Sequence, residues 1–264
     1  KLAENANQVL GNLKHRGGYM NDIKSGDGAG IMVNIPHDYY KHILATDMSI
    51  ELPDKGKYGT GIIFLPKDEI SKNLCKDIIK EKAKEVGLEV ITWKEVKRNS
   101  NCLGIFSGQS EPDIEQIFLK NNYPGEITNN DLYFVQKVST NTIDSVSDIK
   151  PGFYMCNLSK DTIIYKGQFT CEQLFQYYHD LSDPLFKCHM AMVHSRFSTN
   201  TQPSWNRAQP YRIISHNGEL NTIDGNKNVL IARESNMYSP IYKDKTKLFY
   251  PIVSDRMSDS GNLA

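Results

Sequence analysis

Apolar side chains at Leu2, Ala6, Val9, Leu10 and Leu13 recur with a helical period, and the run meets His15-Arg16-Gly17-Gly18, where a helix is expected to end. Ser25-Gly26-Asp27-Gly28-Ala29-Gly30 then leads into Ile31-Met32-Val33-Asn34-Ile35, the pattern of a tight turn feeding a buried strand. Residues 61–65 read as a strand. Ile70, Leu74, Ile78, Ile79 and Ala83 place a helix within 68–86, Gly87 is positioned to stop it, and 88–93 return as a strand. This β-α-β excursion at 59–96 has a structural character, and its Trp93 is read as a core aromatic rather than a stacking platform.

Downstream, the pattern predicts a short strand at 103–106, a helix over 111–122 with Pro112 and Asp113 in its first turn, and a strand at 131–138. Residues 139–152 are polar enough for a loop. Residues 153–159 and 162–167 read as a hairpin around Lys160-Asp161, followed by a helix over 171–181 that Asp183-Pro184 closes. Two short apolar runs, 191–193 and 211–214, each deliver the chain into a dense polar cluster, as strands do where they end at a site. The first cluster is His194, Ser195, Arg196, Phe197, Ser198, Thr199 and Asn200; the second is Ser215, His216, Asn217, Gly218 and Glu219.

Composition narrows the classes. With 264 residues there is ample length for a core, and 31 Lys and Arg balance 31 Asp and Glu. A neutral chain without a basic block is not built to neutralise phosphates, which argues against nucleic acid as a partner. No apolar run approaches the roughly 20 residues of a membrane span, and the first ten residues are not a signal peptide, so the chain reads as soluble. Five cysteines without a C-x-x-C spacing fit free thiols in a reducing compartment, and no structural zinc is expected. The turn G-D-G-A-G lacks the Lys-Ser/Thr of a phosphate loop and precedes a strand, not a helix.

The two polar clusters offer a guanidinium fork, several hydroxyls and an Asn-Gly pair able to aim a side-chain amide and a backbone N–H at one point. That is equipment for holding a small amino acid. Each part has a plainer reading beside it. Asn-Gly is a strong type I′ turn signal, a lone Arg is usually solvated, Asp259 between two serines suits a helix cap, and His194 and His216 suit core positions. Their joint occurrence in one order favours the site.

The segments H-S-R-F-S-T-N (194–200) and P-Y-R-I-I-S-H-N-G-E-L-N-T-I-D-G-N (210–226) resemble the glutaminase domain of glutamate synthase, a class II glutamine amidotransferase. H-R-G-G and S-G-D-G-A-G resemble the early part of the same domain, where they help to wall the site. R-F-S-T-N-T-Q-P-S-W resembles the glutamate synthase branch rather than the purine or glucosamine branches, whose equivalent loops are shorter. The resemblance implies an α+β, four-layer αββα N-terminal-nucleophile hydrolase fold, incomplete at both ends, with residues 1–264 as a partial amidotransferase domain.

It also assigns roles. Arg196 would bind the α-carboxylate of glutamine through two parallel N–H···O bonds, with Phe197, Thr199 and Asn200 beside it and Asp259 pairing with the α-ammonium. Asn217 and Gly218 would form the oxyanion hole, through a side-chain N–H and a backbone N–H respectively. The nucleophile of the family is an N-terminal cysteine whose own α-amino group serves as base. Lys1 stands first here and all five cysteines are internal, so a fragment inactive on its own is expected. No cofactor or metal is expected in this stretch. The resemblance implies FMN and an iron–sulfur cluster in the full-length protein, a synthase domain of the same polypeptide acting on 2-oxoglutarate, an electron-donor subunit or domain, and a location in cytoplasm or plastid. The alternative is a non-catalytic glutamine-binding module.

Overall fold

The computed structural model describes residues 2–198, 202–217, 220–254 and 257–263. In chain order the elements are α1 (Leu2–Asn12), β1 (Ala29–Asn34), α2 (His37–Met48), β2 (Tyr58–Leu65), α3 (Glu69–Glu85), β3 (Leu88–Glu95), α4 (Ile105–Gln109), β4 (Asp113–Asn121), α5 (Asn129–Ser145), β5 (Tyr154–Met155), β6 (Thr162–Gly167), α6 (Leu174–Tyr177), β7 (Ala191–Ser195), α7 (Ile223–Arg233) and α8 (Asp259–Leu263). Strands β6-β1-β7 form one antiparallel sheet, and β3-β4-β2-β5 form a second.

Alternation along β2 shows how the layers stack. Ile62 and Phe64 enter a core shared with Ile31 and Val33 of β1, while Ile63 and Leu65 enter another shared with Ile79 of α3 and with Leu132 and Val135 of α5. The two sheets therefore face each other, β2 lying against β6, with α1 against β7 outside one sheet and the α3/α5 pair outside the other. This is the α+β, four-layer arrangement that the sequence leads one to expect. A buried polar tie crosses between the sheets: Asp180 accepts hydrogen bonds from Tyr39 (2.8 Å) and from Tyr165 of β6 (2.9 Å), and the Lys94 ammonium of β3 lies 3.6 Å away.

Local chemistry fixes the better helices. The Asp68 carboxylate caps α3 by accepting from the Ser71 N–H at 2.9 Å, and Thr128 caps α5 by accepting from the Asp131 N–H at 3.2 Å. Gly87, at φ 76°, turns the chain out of α3 into β3. Trp93 packs against the α3/α5 core, with the Lys76 ammonium 5.0 Å from its ring centre.

Several sequence expectations are corrected. The predicted helix at 111–122 is strand β4, whose residues Ile114 to Leu119 are buried apart from the half-buried Glu115. With cores on both faces, its apolar residues do not alternate with polar ones, and their spacing imitates a helix. The predicted strand at 131–138 lies within α5, which continues through much of the expected loop at 139–152. This helix is apolar on two sides because Leu132 and Val135 face the sheet core while Phe134 and Val138 pack with Phe249. The expected strand at 103–106 runs into the short helix α4, and the predicted helix at 171–181 reduces to α6 and a 3₁₀ turn, His179–Ser182. β5 and β6 make no hairpin, since the chain passes from one sheet to the other between them. Residues 211–214 form a turn, the Tyr211 N–H donating to the Ile214 carbonyl at 2.8 Å, and α2 was not foreseen. Among the described residues no helix is long and apolar enough to cross a membrane.

Candidate functional site

The site starts where β7 runs out beside β1. The Arg196 N–H donates to the Gly28 carbonyl (2.8 Å), the Gly18 N–H to the Arg196 carbonyl (3.0 Å), and the Asp27 N–H to the Gly18 carbonyl (2.9 Å). Three separate stretches of backbone are thus laced together. Arg196 is 7% exposed as a residue; its guanidinium Nη1 donates to the Asp27 carbonyl at 3.2 Å and Nη2 to Ser198 Oγ at 3.0 Å. The Asp27 carboxylate accepts from the Ser198 N–H at 2.7 Å. Burial pulls the guanidinium below its usual pKa, opposed by Tyr211, Asp27 and Asp259, and it remains a cation. Phe197 is exposed, and its ring lies so near Gly18 that a Cβ there would stand 2.9 Å away.

The second part of the site is a loop that crosses β1. Gly28 has φ 138° and lies under Ala208, and at Gly30 a side chain would collide with the Gln209 carbonyl oxygen, so only glycines let the loop come this close. Trp205 anchors it, donating Nε1–H to the Ser107 carbonyl at 3.1 Å and meeting Phe64 and Phe169 edge to face. Past the cis Gln209–Pro210 bond the chain turns back towards Asn217. The Gln209 carboxamide grips His216 twice, accepting from its N–H (2.8 Å) and donating to its carbonyl (2.7 Å).

His216 is also fixed through its ring, with Nδ1 2.8 Å from Ser260 Oγ. Asp259, first residue of α8, accepts from the Leu220 N–H at 2.6 Å and from the Ser260 N–H at 2.7 Å. The Tyr211 hydroxyl lies 2.8 Å from Ser258 Oγ. The Ser258-Asp259-Ser260 triplet thus clips the segment on both sides of Asn217, whose own side chain is exposed.

His194 is buried at the end of β7, and neither ring nitrogen meets a hydrogen-bond partner by geometry among the described residues, although the nearby His216 main chain favours the charged ring. Burial lowers its pKa to about 4, so it is neutral at pH 7. Among the described residues no three His, Cys, Asp or Glu side chains converge as a metal site. All five cysteines are free, and burial pushes every thiol up, to about 11 at Cys75 and about 12 at Cys156.

A cavity of about 1090 Å³ adjoins this site on the α5 side. Tyr211, Leu220 and Asn262 line it together with Tyr133, Lys137 and Lys227, but Arg196, Phe197 and Asp259 do not.

Of the residues singled out in the sequence, Arg196 and Phe197 stand at the end of β7, Asn217 on the loop and Asp259 at the start of α8; Thr199, Asn200 and Gly218 lie outside the described residues. Asp259 is joined to the Asn217 loop by a hydrogen bond and to Arg196 electrostatically. Sequence reasoning gave no specific role to Asp27, which orients Ser198 and Arg196, although an acid inside a glycine turn was a usable signal. It passed over Gln209 and the serines around Asp259 as holders of the loop, and a Gln before a Pro carries no distinguishing pattern.

The sequence profile of the family described as Glutamine amidotransferases class-II matches residues 1–264. Glutamate synthase [NADH] of Saccharomyces cerevisiae is 40% identical over 274 aligned residues, covering 100% of this chain and 12% of that protein. The chloroplastic ferredoxin-dependent glutamate synthase of Oryza sativa subsp. japonica is 37% identical over 99% of this chain and 16% of its own length. Glutamate synthase [NADPH] large chain of Azospirillum brasilense is 35% identical over 99% of this chain and 17% of its own. The chain therefore spans less than a fifth of each of these relatives.

Proposed function

Given that the chain belongs to the class II glutamine amidotransferases, we propose that it is the glutaminase part of a glutamate synthase, hydrolysing L-glutamine to glutamate and ammonia. The observation that carries this reading is the meeting of a buried, carboxylate-flanked Arg196 with a loop that Asp259 clips beside Asn217. Arg196 receives the α-carboxylate as a fork and Asp259 faces the α-ammonium, which sets the carboxamide end towards the Asn217 loop. Phe197, Thr199 and Asn200 complete the amino-acid end.

A thiolate attacks the carboxamide carbon, and the negative charge that develops on its oxygen is taken up by the Asn217 side-chain N–H and the Gly218 backbone N–H. Collapse of this intermediate breaks the C–N bond. The leaving nitrogen takes the proton that the α-amine had removed from the thiol and departs as ammonia, and water then cleaves the thioester to give glutamate and the free thiol. None of the five cysteines suits the attack, since each thiol is raised by burial and each has an amide nitrogen where the family uses an α-amine. The nucleophile in this reading is a processed N-terminal cysteine of the complete polypeptide.

The proposal extends to a synthase part of that polypeptide, which takes the ammonia to 2-oxoglutarate and carries FMN and an iron–sulfur cluster fed by an electron donor. The five cysteines of this chain are dispersed and do not fit a cluster among the described residues. The test is to treat the complete polypeptide with an electrophilic glutamine analogue, map the label and assay glutaminase turnover. A glutamine-protected label on a cysteine other than Cys75, Cys102, Cys156, Cys171 and Cys188, with turnover, is expected. Glutamine binding with neither label nor turnover would make the chain a binding module instead.

A further inference from the structure

Lys166 sits in β6 opposite Gly30 of β1 and is fully buried. Its ammonium makes three donations: to the Ala208 carbonyl at 2.7 Å, the Asn206 carbonyl at 3.0 Å and the Tyr154 hydroxyl at 3.2 Å. Those use all three N–H bonds of the group. It also lies 4.5 Å from the ring centres of both Tyr154 and Tyr211. Among the described residues no carboxylate stands within ion-pair distance of it, an uncommon condition for a buried lysine, because an uncompensated charge is expensive to desolvate. Burial first, and the nearby Arg196 charge as well, lower its pKa to about 8, so at neutral pH it is still a cation. Simple space-filling at this position would be met by methionine.

We infer that Lys166 is a positioning residue for the oxyanion loop, acting through Gln209, and this rests on the reading above that Asn217 and Gly218 receive the developing charge. The path is short. The ammonium fixes the carbonyls of Asn206 and Ala208; Gln209 follows directly and grips both the N–H and the carbonyl of His216; Asn217 is the next residue. Gly28 and Gly30 leave the room for the loop to lie over β1 within reach of the ammonium. The amino-acid clamp does not hang on this path, since Arg196 is laced to Gly18, Asp27 and Gly28 through its own backbone and guanidinium.

Lys166 and Gln209 should therefore control kcat and leave KM nearly alone. In the complete polypeptide, Lys166→Met and Gln209→Met are expected to lower the glutaminase kcat by roughly 10–100-fold, the scale of a misplaced catalytic group, with KM for glutamine changed by less than about threefold. Because both act through one path, the double variant should be little worse than the poorer single one. Wild-type protein without glutaminase turnover would overturn the underlying reading instead of this one. Active wild type with both variants at wild-type kcat overturns the inference, as do losses that track only the fraction of folded protein by circular dichroism. Should Lys166→Met fail to fold, Gln209→Met decides by the same split.

Discussion

Arg196 and Asn217 are held in opposite ways. The Arg196 backbone continues a strand and bonds to Gly28 just before β1, and the residue as a whole is 7% exposed. Asn217 is exposed on a segment outside any strand, suspended by side chains from elsewhere: Gln209 and Ser260 at His216, and Asp259 at Leu220. The helix that follows, α7, buries no residue. In the proposed reaction the first group recognises an amino acid that hardly changes, while the second must meet an oxygen whose charge and position change during the reaction. A core-built clamp suits the first task. A clipped loop can be fine-tuned by a few hydrogen bonds, but it is also easier to misplace.

The largest effect that separates the two regions is kinetic. If Asn217 is the proposed oxyanion donor, Asn217→Ala should cost about 2.7–4 kcal/mol of transition-state stabilisation, read almost wholly in kcat. Arg196→Lys keeps the charge but loses the fork, and should raise KM for glutamine by about 2 kcal/mol, or roughly 30-fold, with a smaller change in kcat. Steady-state glutaminase assays on the complete polypeptide measure both. If Asn217→Ala acts on KM and Arg196→Lys on kcat, the division of labour is wrong.

The next effect, of about 3 kcal/mol, belongs to the clamp side. His194 binds its proton near pH 6.5 when unfolded but near pH 4 in its buried place at the end of β7. Between those values the unfolded chain carries the extra proton, so stability is full above about pH 6.5 and declines as pH falls towards 4. Urea unfolding at pH 7 and pH 4.5 should show wild type losing most of this increment, about 2 kcal/mol, and His194→Leu losing less. Equal losses in the two proteins would mean that His194 is not the group responsible.

The same contrast explains what could be read from the chain. Arg196 and the Asn217-Gly218 pair lie in contiguous motifs, so they could be singled out as candidates without coordinates. Asp27 acts on a backbone group far away in sequence, and a hydrogen bond from Gln209 to His216, seven residues on, leaves no periodic trace. The strand and helix errors have one cause, burial from two sides. β4 lies between the two cores, and α5 is covered by the sheet on one face and by Phe249 on the other, so neither shows the half-polar pattern that tells period 2 from period 3.6. The candidate site lies on the sheet whose strands β1 and β7 were legible, and for that reason the end of β7 could be picked out more readily than its surroundings.

The smallest effect tests how loosely the oxyanion side is tied down. Helix α7 is preceded by Thr222, at φ 59° and without a side-chain cap, whereas α3 and α5 have Asp68 and Thr128. Gly225 lies in its first turn, with nothing within 4 Å of the place a Cβ would take. Gly225→Ala should therefore favour the helix by about 0.5–1 kcal/mol, through the lower conformational entropy of the unfolded segment. If α7 opens on its own, amide hydrogen exchange within it should slow by roughly two- to fivefold while exchange in β1 and β7 stays constant. KM for glutamine should not move, because Arg196 is anchored in the other region. A slowing shared by β1 and β7 would show that α7 opens only with the core, and the loop would then be as firmly built as the clamp.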